Sequence, residues 1–150
     1  MYLHWLCVPT LVMFLGADDA PKDLAKLQGT WSIVSAERSG EKLPEEPAKK
    51  MRVVIKENTL TVQEGEGPKA GGEKAAFKVN PATKPKSLDI TPAKRDGSKI
   101  EKKTVLGIYE LDGDTLKLCW RKEGGERPAK FATEPKSGLV LFVLKRQSKQ

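Results

Sequence analysis

The chain has 150 residues and a formal net charge of +7, and its single histidine is His4. Histidine is the commonest general base and the commonest metal ligand in proteins. We therefore expect a protein that is not an enzyme and that has no metal or cofactor. The charge predicts affinity for a polyanion, an acidic protein partner or a small anionic ligand. Aromatic residues make up only 6% of the chain and no basic helix carries them, so specific nucleic-acid binding is not expected.

The N-terminal residues predict a secretion signal. Residues 5–15 form an uncharged, mostly apolar run, too short for a membrane-spanning helix, which needs about 20 residues. Gly16 and Ala17 follow it, as at the cleavage site of a signal peptide. We expect a signal peptide over residues 1–17, export to the periplasm or the extracellular space, and a single domain over residues 18–150 that is monomeric. The alternative is a short anchor that is not cleaved.

Cleavage after Ala17 would remove Cys7 and leave Cys119 as the only thiol. The fold is therefore not expected to contain an internal disulfide. Cys119 fits a small residue inside a strand. The alternative is a reactive thiol, because Lys117 and Arg121 lie in phase with it and positive charge stabilises a thiolate.

After the signal, one short helix is followed by a succession of strands. Residues 21–28 have Asp18 and Asp19 before them, Pro21 in the first turn and Gly29 after them, which is typical of a helix. From Gly29 onward, apolar and polar residues alternate in short runs separated by turn residues, which predicts an all-β barrel or sandwich. The predicted strands cover residues 31–36, 51–56, 59–63, 75–79, 88–90, 104–111, 115–121, 127–133 and 139–145.

Two further features of the predicted strands are a tight turn between two of them and a last strand that is unusually apolar. Asp112-Gly113 between residues 104–111 and 115–121 predicts a tight hairpin, because glycine tolerates positive φ angles. The last strand is apolar on both faces over residues 139–144. One face belongs in the core, and the other needs a cover to prevent aggregation. Leu24 and Leu27 of the helix are the candidate cover.

Several motifs carry a family resemblance. They are Leu27-Gln28-Gly29-Thr30-Trp31, Lys84-Pro85-Lys86-Ser87-Leu88-Asp89, the run over residues 107–119, Arg127-Pro128-Ala129-Lys130-Phe131 and Leu144-Lys145-Arg146. In this order they resemble the lipocalin (calycin) pattern, and more closely a family of small secreted lipocalin-like domains abundant in planctomycete bacteria. The resemblance covers residues 24–146. It implies an all-β, exported antiparallel meander barrel of about eight strands with a short N-terminal capping helix, and it implies no particular activity.

The resemblance also implies structural roles for four residues. Gly29 and Trp31 match a Gly-x-Trp motif whose tryptophan packs at the closed end of the lipocalin barrel, covered by an arginine from the last strand. Trp31 would take that place, with Arg146 or Arg127 across its ring.

Two kinds of binding site remain open. The first is a site inside the barrel or at its rim for a small, partly apolar or anionic ligand, since barrels of this size can hold one. Its candidate residues are Tyr109, Trp120, Phe77 and Phe131, which fit a solid core equally well. Other residues expected to face the interior are Val53, Ile55 and Leu118. The second is a basic rim that binds a polyanion or an acidic partner, formed by Lys84, Lys86, Lys94, Arg95, Lys99, Lys102 and Lys103.

An enzyme would need a catalytic group other than histidine. Asp89, between Leu88 and Ile90 in a predicted strand, fits a buried acid with a raised pKa. An ion pair with a neighbouring lysine accounts for it as well, so no residue receives a catalytic assignment.

Overall fold

The computed structural model describes residues 19–65, 72–93, 103–122 and 125–148. The predicted signal peptide and the basic residues between 94 and 102 lie outside these ranges. Within them, no helix is long and apolar enough to cross a membrane.

Two short helices and nine strands make up the described part of the chain. The helices are α1 (Asp19–Leu27) and α2 (Glu45–Lys49). The strands are β1 (Gly29–Arg38), β2 (Glu41–Lys42), β3 (Met51–Lys56), β4 (Thr59–Glu64), β5 (Gly72–Asn80), β6 (Lys86–Pro92), β7 (Val105–Asp112), β8 (Thr115–Arg121) and β9 (Leu139–Arg146). The predicted first helix is confirmed, whereas α2 and β2 were not expected from the sequence.

The strands form one antiparallel meander that closes on itself. From β3 to β9 each strand pairs with the next, β1 pairs with β3, and a further pairing of β1 with β9 closes an eight-stranded barrel. The two-residue β2 pairs only with β1, beyond the barrel. Full closure leaves no unpaired edge among these eight strands, which is how a small barrel avoids edge-to-edge aggregation. The predicted all-β barrel with an N-terminal helix is confirmed.

Helix α1 covers one end of the barrel, which we call the capped end. Because the strands alternate in direction, the β3–β4, β5–β6 and β7–β8 turns lie at this same end. Gln28, just after α1, accepts a hydrogen bond from the Glu57 backbone in the β3–β4 turn and donates one back to its carbonyl. Leu27 is buried in the core, and Leu24 packs against it. At the opposite end, which we call the open end, α2 packs against β1 and β3 and buries Ala48 in the core.

The predicted hairpin between β7 and β8 is confirmed. Asp112 pairs with Thr115, and Gly113 between them has a φ of 57°. A side chain in that conformation would be strained, so glycine is the natural choice there. Further along the same hairpin, Gly107 faces Trp120 so closely that a Cβ atom would lie 2.9 Å from the Cys119 carbonyl oxygen.

The prediction of a strand over residues 127–133 is wrong. Residues 125–138 contain no strand and cross the outside of the barrel, and we call them the outer segment. The barrel already closes by pairing β9 with both β8 and β1, so no ladder position remains for them. Side chains hold the outer segment instead, chiefly Arg127, which donates to the Leu88 and Gly107 carbonyls.

The outer segment also covers the second apolar face of the last strand. Phe131 packs on Ile108, Cys119 and Leu141, a small apolar cluster on the outside of β7, β8 and β9. The expectation that Leu24 and Leu27 provide this cover is therefore wrong. Both leucines pack on the core at the capped end, because α1 lies across the barrel mouth and not along its wall.

Candidate functional site

An apolar pocket enters the barrel from the open end. Its volume is about 250 Å³, and it adjoins a wider cleft of about 540 Å³ that shares part of its wall. Alternate residues of a strand point inward, and the closed meander brings these together from strands that are distant in sequence. The apolar lining of the inner pocket is Val53, Leu60, Val62, Ala75, Ile90, Pro92, Val105, Leu118, Trp120 and Phe142.

Trp120 is the aromatic centre of this pocket. It lies near the end of β8, opposite Gly107 on β7 and Val140 on β9. Its ring meets Phe142 edge to face, with 4.9 Å between the ring centres and 87° between the planes. This is a favoured aromatic geometry, so Phe142 fixes the orientation of the indole. Trp120 remains partly exposed, and its Nε1–H makes no hydrogen bond to any described residue.

Charged residues surround the entrance. Among the described residues that line the pocket and the cleft, the cations are Arg38, Lys74 and Lys122 and the carboxylates are Glu64 and Glu73. All five side chains are exposed to solvent. The site therefore combines an apolar interior with a polar mouth, to which the described lining residues contribute three cations and two carboxylates.

The structure separates the four predicted ligand-binding residues. Trp120 lines the pocket. Phe77 faces the interior but is buried among core residues. Tyr109 lies at the capped end and bonds to Asp23, and Phe131 lies outside the barrel. Tyr109 and Phe131 do not line the pocket at the open end, but both line a separate concave surface of about 350 Å³ beside Pro85 and Lys86. Ligand contact by these two residues stays a prediction.

No protein-family model, curated protein or solved structure matches this chain.

The capped end contains the expected tryptophan–arginine pair. Trp31 is fully buried, and the guanidinium of Arg146 lies 4.3 Å from the centre of its ring. The indole Nε1–H donates to the Leu27 carbonyl at 3.0 Å. Arg146 donates to the Gln28 carbonyl at 2.7 Å, next to the positive-φ Gly29. Of the two arginines considered, Arg146 is the one that covers Trp31, while Arg127 lies in the outer segment.

Asp23 forms a second polar cluster at the capped end. The sequence analysis did not identify it. Its Oδ2 accepts hydrogen bonds from the Tyr109 hydroxyl at 2.7 Å and from the Lys86 ammonium at 2.8 Å. Burial raises the pKa of Asp23, but these two hydrogen bonds and the charges of Lys86 and Lys26 outweigh it and hold the pKa below its usual value. Burial, together with the Asp23 carboxylate, raises the pKa of the Tyr109 hydroxyl far above its usual value.

One sequence signal could have revealed this cluster. Asp23 precedes Leu27 by four residues, and residues four apart share a face of a helix. The buried stripe of α1 therefore had to include Asp23, and a buried carboxylate needs a partner. Which residues supply the partner depends on how the barrel closes, which the helix pattern does not reveal.

Asp89 forms an ion pair, as the alternative to a buried acid predicts, but its partner is an arginine and not a lysine. Its Oδ1 lies 2.7 Å from the Arg127 guanidinium. The carboxyl is on the outer wall of the barrel, away from the pocket, where it tethers the outer segment to β6. No geometry here points to a catalytic acid.

The basic stretch that suggested a single rim is divided by the fold. Lys84 lies in the β5–β6 turn at the capped end, and Lys86 begins β6 beside Asp23. Lys103 precedes β7 at the open end. Because β6 runs the length of the barrel, cations that are close in sequence lie at opposite ends. The other members of the stretch are outside the described residues.

Cys119 is buried under the outer segment. Burial raises the pKa of its thiol, although the Ala132 carbonyl, 3.9 Å from Sγ, and the charge of Arg121 act in the opposite direction. Lys117, the other expected activator, lies 3.8 Å from a Glu110 carboxylate oxygen. The sequence-based argument for a stabilised thiolate is therefore wrong, because desolvation outweighs the nearby charge.

We predict that this thiol is unreactive in the folded protein. In a Cys7→Ser background, Cys119 should react with a disulfide reagent at least ~100-fold more slowly than after unfolding, because labelling requires the outer segment to open. The rate of thiol release with and without denaturant measures this. Labelling of the native protein at the rate of the unfolded chain would contradict the prediction.

No group of three or more histidine, cysteine, aspartate or glutamate residues in the described ranges is arranged to hold a metal ion.

Proposed function

We propose that this protein is an exported binding protein that holds a small, partly apolar ligand in the open end of its barrel. The observation that carries the proposal is the apolar pocket of about 250 Å³, built around Trp120 and opening to solvent. Binding sites for small molecules are concave and mostly apolar, with a few polar groups that orient the ligand. Burying the apolar part of a ligand is worth roughly 25 cal/mol per Å².

The charges at the entrance support a ligand that also has an acidic group. Arg38, Lys74 and Lys122 lie around the mouth with Glu64 and Glu73. An apolar portion would occupy the inner pocket, and an acidic group would remain at the solvated mouth. Trp120 lines both the pocket and the cleft and is partly exposed, so its Nε1–H is a candidate hydrogen-bond donor to the ligand.

The sequence resemblance supports the same proposal. The motifs around Trp31 and Arg146 resemble those of the small secreted lipocalin-like domains, and the pair lies in contact at the capped end. Membership of that family and export through the apolar N-terminal run are part of the proposal. Binding, and not catalysis, is proposed because the pocket wall is apolar below its charged mouth.

Filling the pocket tests the proposal. Ala75 lines the pocket, whereas the next residue, Ala76, is exposed on the outer face of the same strand. Ala75→Leu should weaken binding of an anilinonaphthalene sulfonate probe by about tenfold or more, because the added side chain occupies the space. Ala76→Leu should leave binding unchanged. Probe fluorescence titration measures both.

A loss of probe binding can come from filling of the pocket or from unfolding of the variant, and these two causes can be separated. Matched melting temperatures of the two variants would show that any loss of binding comes from the pocket and not from unfolding. Equal probe affinity in Ala75→Leu and in the unchanged protein would place the probe elsewhere and overturn the proposal.

A further inference from the structure

A second concave surface lies on the outside of the barrel, where β1, β3 and β9 run side by side. It is a groove of about 620 Å³, and we call it the basic groove. The described residues that line it are Ser32, Val34, Arg52, Lys145, Arg146, Gln147 and Ser148. The sequence analysis assigned no binding role to this surface, and the proposed ligand pocket is not part of it.

Strand register places two cations on either side of one hydroxyl. Ser32 is opposite Arg52 on β3 and opposite Lys145 on β9. Ser32 lies between the buried Trp31 and Ile33, Arg52 precedes the buried Val53 and Lys145 follows the buried Leu144, so the three side chains project from the outer face. Adjacent strands are about 4.8 Å apart, so an anion above Ser32 is within reach of both long side chains.

The groove has positive charge without acidic residues in its wall. Its described lining includes three basic residues and no carboxylate. Arg146 is held in place by Trp31, by backbone carbonyls and by Asp114, which lies 3.3 Å from its Nε. Lys145 is exposed and has no ion pair with any described residue. An anion entering the groove therefore meets a net positive potential that no lining group neutralises.

The polar groups in the groove present hydrogen-bond donors. Gln147 donates from Nε2 to the Ser32 Oγ at 2.8 Å, so that oxygen already accepts a bond and its own hydrogen is available to a ligand. Arg52 uses Nη2 to donate to the Gly65 carbonyl at 3.0 Å. Its other N–H groups remain, and the fixed Nη2 restricts the motion of the guanidinium. Donors of this kind, charged and preorganised, match a phosphate group.

An apolar contact adjoins these donors. The register of β1 against β9 shifts between Ile33 and Ser35, which leaves Val34 as an extra residue. Bulges of this kind redirect a side chain and are frequent next to functional sites. Val34 is 61% exposed, and among the described residues it is the large hydrophobic side chain that stands out to solvent. It lines the same groove as the cations.

The geometry points to the basic groove as a binding site for a phosphate ester: the phosphate group bonds to Arg52, Lys145 and the Ser32 hydroxyl, and the organic group of the ester packs on Val34. The site is independent of the pocket at the open end. Each could be occupied while the other is empty.

The test is a titration of the protein with inorganic phosphate and with phenyl phosphate, followed by the backbone amide NMR signals of β1, β3 and β9. Saturable shifts at Ser32, Arg52 and Lys145 are expected for both ligands. Phenyl phosphate should bind more tightly, because only the ester reaches Val34. Equal affinity for the two ligands would overturn the assignment of an ester, and the absence of saturable shifts would overturn the site.

Matched variants separate a specific site from general attraction to a basic protein. Lys145→Gln should weaken phenyl phosphate binding by about tenfold, since one charge-assisted hydrogen bond is lost, and Lys145→Arg should restore it. Lys56→Gln removes the same charge from an exposed position further along β3, outside the groove, and should change affinity less than about twofold. Equal losses in Lys145→Gln and Lys56→Gln would overturn the proposal.

The pocket variant completes the design. Ala75→Leu should leave phenyl phosphate binding unchanged, and Lys145→Gln should leave binding of the anilinonaphthalene sulfonate probe unchanged. Lys145→Gln therefore tests the phosphate-ester site in the groove, and Ala75→Leu independently tests the proposed ligand pocket.

Discussion

Replacing Trp31 with alanine should lower the free energy of unfolding by about 3–5 kcal/mol, which is the usual cost of removing a buried tryptophan. The side chain is fully buried at the capped end. Its loss leaves a cavity and deprives the Leu27 carbonyl of its indole donor. The Arg146 guanidinium would also lose the ring it lies over, a contact worth about 0.5–2 kcal/mol.

Thermal unfolding measures this effect, with a fall in melting temperature on the order of 10 °C for a domain of this size. Trp120→Ala is the matched control, because it removes the same side chain from a partly exposed position. It should cost less than half as much. A Trp31→Ala melting temperature close to that of the unchanged protein would show that the capped end does not depend on the tryptophan.

Replacing Asp23 with alanine should have the second-largest effect, a loss of about 2–3 kcal/mol. Hydrogen bonds to charged groups are worth about 1.5–3 kcal/mol each, and Asp23 accepts two of them. The Lys86 side chain is 41% exposed, so water replaces part of the hydrogen bonding that its ammonium loses with the Asp23 carboxylate. The Tyr109 hydroxyl is buried and would be left without its acceptor, which accounts for most of the expected cost.

Asp23 also makes the stability depend on pH. Its pKa in the folded protein lies below the ordinary value of 3.8, so folding favours the ionised form. The resulting stability is fully present above the pKa of the unfolded chain and is lost as the pH falls through the lower folded-state pKa. Asp23→Ala should therefore destabilise strongly at neutral pH, and its difference from the unchanged protein should shrink below about pH 4.

Urea unfolding at several pH values between neutral and about pH 2 measures both effects. Asp19→Ala is the control, since Asp19 is an exposed carboxylate in the first turn of the same helix. Its loss should cost at most about 1 kcal/mol through the helix dipole. An Asp23→Ala difference that stays constant across this pH range would contradict the assigned role of the ionised carboxylate.

Local patterns in the sequence were sufficient for most of the fold. The alternation of apolar and polar residues has the same period as a strand, and Asp112-Gly113 contains its own turn geometry. Strand alternation and turn residues are properties of neighbouring residues, and so are the boundary residues of a helix. The barrel, the β7–β8 hairpin and α1 could therefore be predicted from the sequence. The outer segment was mistaken for a strand because its alternation resembles one, although Arg127 and Phe131 bind the outer wall by their side chains.

The candidate site was only partly predictable. The sequence predicts Trp120 as one of four aromatic candidates, which fit a ligand site and a solid core equally well. Ala75 and Phe142 were not singled out, although they line the same pocket. The alternation of apolar and polar residues predicts which side chains face the interior. Whether such a side chain lines the pocket or the packed core depends on how far along the barrel axis it lies from the open end.

By itself, the amino-acid sequence determined that this chain forms an all-β barrel with a helix before the first strand, because strand period, turn residues and helix boundaries are encoded over a few residues. Only the tertiary structure decided which distant residues meet. Closure of β9 on β1 placed Arg146 over Trp31 and aligned Arg52, Ser32 and Lys145 on one outer face. These contacts depend on the register and stagger of eight strands acting together, and no short stretch of sequence specifies that closure.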